Sequence, residues 1–117
     1  MKEPATRREV HYGNRVVRAY ADRPRNIDAM LRDTVARLPN ADALLLGGER
    51  MSYAQLDAAV GRVAGGLLAA GLRPGDRLAI LLGNGFEFVL AVLGAARAGL
   101  ISVPLNTRQR RPEIEFV

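Results

Sequence analysis

The segment LAILLGNGFEFVLAVLGAARAGLISVPL, Leu78–Leu105, places the tightest limit on what this chain can fold into. Two short apolar runs flank a longer one, with glycine at both junctions. The spacing predicts a strand at Arg77–Leu82, a helix at Gly85–Ala98 closed by Gly99, and a strand at Leu100–Val103 closed by Pro104. Strand, helix and strand in that order form a βαβ unit, which joins parallel strands by a right-handed crossover. Both strands are apolar with little alternation, as expected where helices cover both faces. The expected class is therefore α/β.

The remaining segments fit around that unit. Asn26 is an N-cap candidate, and Ile27, Met30, Leu31, Val35 and Leu38 follow at helical spacing before Pro39, which predicts a helix over Ile27–Leu38. Ala43–Leu46 and Arg50–Tyr53 flank Gly47-Gly48 and read as a β-hairpin. Ser52 and Gln55 form a capping box. The apolar face Leu56, Val60, Val63, Ala64, Leu67 then predicts a helix over Ala54–Ala70, with Gly71 as its C-cap and Pro74 beyond. Gly61, Gly65 and Gly66 lie inside that helix at about 1 kcal/mol each relative to Ala, a cost that close packing against a neighbouring backbone would offset. Arg111–Val117 begins like a helix, with Pro112 near its first position and acids in its first turn, and carries no stop signal. The chain is therefore expected to be the front of something longer.

A chain of 117 residues suffices for one domain. It has no cysteine and a single histidine, His11, which excludes disulfides, thiolate metal sites and cysteine nucleophiles, and leaves no His-based metal set. The start, MKEPATRREV, has no apolar signal core, and the longest apolar stretches are broken by Glu87, Arg97 and Pro104, so no membrane span is expected. These features fit a reducing compartment, and the expected localisation is cytoplasmic. Charge is unevenly placed. Residues 1–25 hold seven Lys/Arg against three Asp/Glu, and the rest hold ten against nine. Residues 1–25 read as an extended basic leader without sustained period. Such an arm suits nucleic acid or acidic lipid, or is simply a solvated leader, the reading favoured because no aromatic platform accompanies the arginines. No nucleic-acid partner is expected.

Gly83-Asn84-Gly85 between strand and helix raises the prospect of a phosphate loop. A dinucleotide fingerprint needs a third glycine at the position of Phe88 and an acid at the end of the next strand, where Val103-Pro104-Leu105-Asn106 stands instead. A P-loop fails as well, because no Lys-Ser/Thr follows. Asn84 is therefore expected to be the helix N-cap, with Glu87 as its capping-box partner. Ser52 sits in a capping position without a histidine. Asp76 and Arg77 open a strand. Arg108, Arg110 and Arg111 form a small basic cluster that is expected to be solvated.

With the elements in place, residues 27–117 resemble the opening of the AMP-forming adenylating superfamily: acyl- and aryl-CoA synthetases, adenylation domains of peptide synthetases, and luciferases. Ser52-Tyr53-Ala54-Gln55-Leu56 matches the family's Ser/Thr-Tyr-x-Glu/Gln-Leu. Gly71-Leu72-Arg73-Pro74-Gly75-Asp76-Arg77, Asn84 with Phe86-Glu87-Phe88, Gly94, Ala98-Gly99 and Val103-Pro104-Leu105-Asn106 follow in the family's order, with Glu113 and Phe116 in the next helix. Gly83 departs from the proline usual there. Each motif is weak alone; their order and spacing make the match specific. Beyond the basic leader at 1–25, the resemblance implies at 26–117 an incomplete N-terminal portion of an AMP-binding domain, most similar to fatty-acid–CoA ligases.

It also implies what the parent enzyme would do: activate a carboxylic acid with ATP and Mg²⁺ to an acyl-adenylate, then transfer the acyl group to CoA. The remainder of the large domain would pack on this portion, and a homodimer is among the assemblies the resemblance allows. The family's phosphate loop with its lysine, acyl pocket, aromatic-Thr-Glu segment, ribose-binding aspartate and C-terminal lysine have no counterpart here. No catalytic, cofactor-binding or metal residue is therefore carried over, and the 117 residues alone are expected to be inactive. Two readings compete: a non-catalytic truncated product or interaction module, and a small Rossmann-like nucleotide-binding domain.

Overall fold

The computed structural model describes residues 2–117. Its elements are β1 (Thr6–His11), β2 (Arg15–Tyr20), α1 (Ile27–Arg37), β3 (Asp42–Leu46), β4 (Glu49–Ser52), α2 (Tyr53–Ala69), β5 (Arg77–Ile80), α3 (Phe86–Arg97), β6 (Ile101–Pro104) and α4 (Arg111–Phe116). The strands form three two-stranded sheets: antiparallel β1–β2, antiparallel β3–β4 and parallel β5–β6. The parallel pair runs in register from Arg77 opposite Ile101 to Ile80 opposite Pro104, with α3 as the connection.

Local signals account for most boundaries. Asn26 Oδ1 accepts from the Ala29 N–H at 2.8 Å and starts α1. Ser52 Oγ accepts from the Gln55 N–H while Gln55 Oε1 accepts from the Ser52 N–H, at 3.2 and 2.9 Å, which closes the capping box at α2. At the far end of α3, Gly99 has φ +75°; its N–H donates to Ala96 O and the Leu100 N–H to Ala95 O, the paired bonds of a Schellman cap. This cap takes Leu100 out of the strand, so β6 begins one residue later than the apolar run suggests. The first sheet bond from that side is Ile101 N–H to Asp76 O at 2.8 Å.

The core lies between α2 and α3. Leu31, Leu56 and Val60 are buried with Val35, Leu44, Met51, Val89, Leu90 and Leu93 packed around them. A second cluster of Ala64, Ala95, Ala98 and Leu100 gathers Leu67, Leu72 and Leu78. The two helices pack tightly at Gly94, where an added Cβ would lie 2.5 Å from Val63 Cγ1. Close packing is thus a property of Gly94 on α3 and not of the three glycines of α2. A Cβ at Gly65 or Gly66 would meet nothing within 4 Å, and one at Gly61 would only touch the Arg97 guanidinium at 3.7 Å.

Two further expectations are corrected. Residues 1–25 are not an extended leader throughout: Thr6–Tyr20 forms a hairpin turning at Tyr12-Gly13-Asn14, with Tyr12 and Gly13 at positive φ. Its alternation is masked by charge, because the half-buried face is built around Glu9, His11, Val17 and Ala19 rather than around large apolar residues. And Asn84 does not cap α3. The cap is Gly85, in extended backbone with no side-chain hydrogen bond, one residue later than the Asn-x-x-Glu spacing suggested. β5 ends at Ile80, so Leu81–Asn84 form the descending loop and carry Asn84 and Glu87 to the surface.

Candidate functional site

In an open parallel sheet the place for a ligand is the crevice outside the carboxyl ends of the strands. Here that crevice lies between the loop after β5 and the loop after β6. It is lined by Leu82, Gly83, Asn84 and Phe88 on one side and by Pro104, Leu105, Asn106 and Thr107 on the other. The Leu105 N–H donates to Ile80 O at 2.8 Å and holds the two loops together at their base. Asn106 Oδ1 accepts from the Arg108 N–H at 2.9 Å, and Asn106 O from the Gln109 N–H at 3.0 Å, so Asn106 shapes its own turn.

The chemistry of this crevice is sparse. Phe88, at the position where a dinucleotide fingerprint needs its third glycine, is part of the wall. Gly85 has φ −176°, and Gly83 is not among the glycines at positive φ, so the Gly83-Asn84-Gly85 backbone does not curl its N–H groups into an anion-binding nest. Arg108, Arg110 and Arg111 are exposed beyond the crevice, and Arg111 Nε donates to Glu115 Oε1 at 2.6 Å. The Arg110 N–H donates to Glu113 Oε2 at 2.6 Å and starts α4. Among the described residues no group of three His, Cys, Asp or Glu could hold a metal ion. The crevice lining also holds no carboxylate, so the residues that line it do not fit Mg²⁺.

The other candidates have structural roles. Ser52 is the capping oxygen described above. Asp76 Oδ2 accepts from the Arg73 N–H at 2.8 Å within the turn before β5. His11 Nε2 lies 2.9 Å from Glu9 Oε2. Glu9 also accepts from Arg7 Nε at 2.6 Å and Arg23 Nη2 at 2.7 Å. The hydrogen bonds from Arg7, then Arg23 and His11, lower its pKa to about 2.

The charged centre that sequence reasoning missed is Arg97, near the end of α3. Its Nε donates to Asp28 Oδ1 on α1 at 2.7 Å, its Nη2 to Asp57 Oδ1 on α2 at 2.6 Å, and its Nη1 to Asp57 O at 3.0 Å. Asp28 is shared with Arg32 Nε at 2.7 Å. Burial pushes Asp28 upward, but the hydrogen bonds from Arg32 and Arg97 outweigh it and hold the carboxyl below its ordinary value. Burial pulls Arg97 downward, and Asp28 and Asp57 reverse that, so the guanidinium stays charged. One side chain thus joins three helices. The legible signal was a lone arginine closing a helix that is apolar from Phe88 to Ala96.

The sequence model of the AMP-binding enzyme family matches residues 31–117. The chain is 40% identical over 95 residues to the long-chain-fatty-acid–CoA ligase FadD13 of Mycobacterium tuberculosis, covering 80% of this chain and 19% of that protein. It is 40% identical over 95 residues to the mitochondrial medium-chain acyl-CoA ligase ACSF2 of Rattus norvegicus, covering 80% of this chain and 15% of that protein. Among solved structures, a Mycobacterium tuberculosis fatty acyl CoA synthetase matches with a TM-score of 0.75 and 41% identity, over 78% of this chain and 18% of that one. The chain thus spans less than a fifth of the length of these relatives. The SYAQL capping box, the βαβ unit and the VPLN exit lie within the matched residues, and the chain belongs to the AMP-binding enzyme family.

Proposed function

We propose that residues 26–117 are the opening portion of the large domain of an AMP-forming acid–CoA ligase, with residues 1–25 preceding it. The parent would convert a carboxylic acid to its CoA thioester in two steps. A carboxylate oxygen attacks the α-phosphorus of ATP and pyrophosphate leaves. The CoA thiolate then attacks the acyl carbon and AMP leaves, a far better leaving group than oxide. The observation that carries this reading is the 40% identity over 95 residues to a long-chain-fatty-acid–CoA ligase. A fatty acid is the favoured substrate class on the same ground. These residues contribute scaffold: α2 and α3 locked by Arg97, and a parallel strand pair that further strands can extend. They supply no catalytic, nucleotide-binding or metal residue. Cytoplasmic localisation, supported by the absence of cysteine from the sequence, and a homodimeric parent belong to the same proposal.

The test compares this chain with one extended by the downstream reading frame. Calorimetry with Mg-ATP and acid-dependent pyrophosphate release, over a panel of fatty and aryl acids, should be silent for the 117 residues and positive for the extended chain. A downstream frame lacking a Gly-rich loop that ends in Pro-Lys-Gly would sink the ligase reading. Salt-resistant ATP binding by the 117 residues, abolished by Asn84→Ala, would instead return the β5–α3 loop to the nucleotide sites.

A further inference from the structure

The hairpin β1–β2 lies outside the residues that the family match covers, and among the described residues no helix or other strand packs extensively on it. Its two faces differ in chemistry. On one, Glu9 is surrounded by Arg7, Arg23 and His11, so the carboxylate is fully used. The other is made by the cross-strand pairs Thr6–Tyr20, Arg8–Arg18 and Val10–Val16, all exposed. Val10 is 66% exposed, Val16 59% and Tyr20 58%, and Tyr12 at the turn is 89% exposed.

The strands supply no acid to that face; Glu3, just before β1, lines a hollow with Thr6, Arg18 and Tyr20 but forms no ion pair with either arginine. Arg8 and Arg18 stand directly opposite one another, an arrangement that is destabilising in a sheet unless an anion lies between them. Among the described residues neither is ion-paired; Arg18 Nε only donates to Thr6 Oγ1 at 3.1 Å. Large apolar side chains left in water beside unneutralised arginines mark an interaction surface. Its partner must be negative and apolar at once. A second copy of the same face would bring four arginines together, which argues against self-pairing.

We propose that the Arg8, Arg18, Val10, Val16 and Tyr20 face of this hairpin docks on an anionic phospholipid surface. Headgroup phosphates would neutralise the arginine pair, Val10 and Val16 would enter the acyl boundary, and the tyrosines would sit at headgroup depth, where amphipathic rings are favoured. The surface is peripheral: among the described residues no helix is long and apolar enough to cross a membrane.

The experiment is flotation of the full chain with vesicles of phosphatidylcholine alone and with phosphatidylglycerol added. Binding should require phosphatidylglycerol and weaken as salt rises. Arg8→Gln with Arg18→Gln should lower the partition coefficient roughly 25-fold, at about fivefold per basic residue near an anionic surface. Arg8→Lys with Arg18→Lys should retain binding, and Leu45→Ser with Leu46→Ser, on the apolar flank of the body, should leave it unchanged. Because the chain has no Trp, Tyr20→Trp makes a single reporter that keeps both arginines, and its emission should shift to the blue on phosphatidylglycerol vesicles. The proposal is overturned by equal binding to both vesicle types, by an unshifted reporter, or by loss of binding only in the Leu45/Leu46 variant. Charge-dependent self-association without vesicles, or tighter binding to single-stranded nucleic acid than to vesicles, also overturns it and names the other occupant.

Discussion

Arg97 is the residue whose loss should be felt most widely. Replacing it by Leu leaves Asp28 and Asp57 facing a gap between three helices. The cost should be about 2 kcal/mol, below the usual range for a fully buried pair because both carboxylates keep some access to water. Arg97→Lys should recover only part of this, since one ammonium cannot reproduce a planar fork that reaches Asp28 and Asp57 together. Urea midpoints of the three proteins measure both. Glu9 makes a second residue-scale prediction. Its folded pKa of about 2 lies below the ordinary 4.5, so its contribution to the hairpin is complete above pH 4.5 and is lost as pH falls through 2. Amide shifts of Val10 and Val17 should report that loss on acidification, and Glu9→Gln should remove the pH dependence.

At the scale of elements, the glycines make opposite predictions. Gly94→Val forces a side chain into Val63 and should destabilise the α2–α3 pair by roughly 3 kcal/mol. Gly65→Ala and Gly66→Ala place a methyl in open space on α2 and should each stabilise the isolated chain by about 0.5–1 kcal/mol. Thermal melts decide between the two signs. The same alanine substitutions made in a longer parent probe for a further contact: a loss there would mean that another segment approaches that face of α2. Ser52→Ala removes one half of the capping box and should cost about 1 kcal/mol without altering the β3–β4 hairpin.

The whole molecule is more open than a finished domain. A compact chain of this mass would expose roughly 6,200 Å² and have a radius of gyration near 13 Å; this chain exposes 9050 Å² and has a radius of 17.2 Å. Among the described residues only Val60 is a fully buried large side chain. Leu45, Leu46, Leu81, Leu82 and Ile101 are each more than 40% exposed, along the β3–β4 hairpin and the β5–β6 pair. Apolar surface of that extent drives association or dye binding. The isolated chain should bind an apolar fluorophore and sediment above its 12.7 kDa monomer mass, and both signals should fall when downstream sequence is added. A monomeric, dye-silent, cooperatively melting chain would identify an independent small domain instead.

Sequence alone was enough for most determinants that are local. The strand–helix–strand order, the Ser52–Gln55 box, the Asn26 cap and the glycine closing α3 each depend on residues within a few positions of one another, and each is found where spacing placed it. Motif order was likewise enough to name the family. Tertiary structure decided the rest, because the partners are distant in the chain. Asn84 and Gly85 are one residue apart, and the choice of cap followed from where β5 ends. Which glycine is indispensable depends on whether Val63 faces it. Arg97 became a junction because Asp28 and Asp57, 69 and 40 residues earlier, fold to within hydrogen-bond distance. The hairpin in the basic leader was hidden for a different reason: its inner face is organised around a carboxylate and its arginines. Hydrophobic periodicity registers apolar burial, and an ion-paired strand face carries too little of it to be seen.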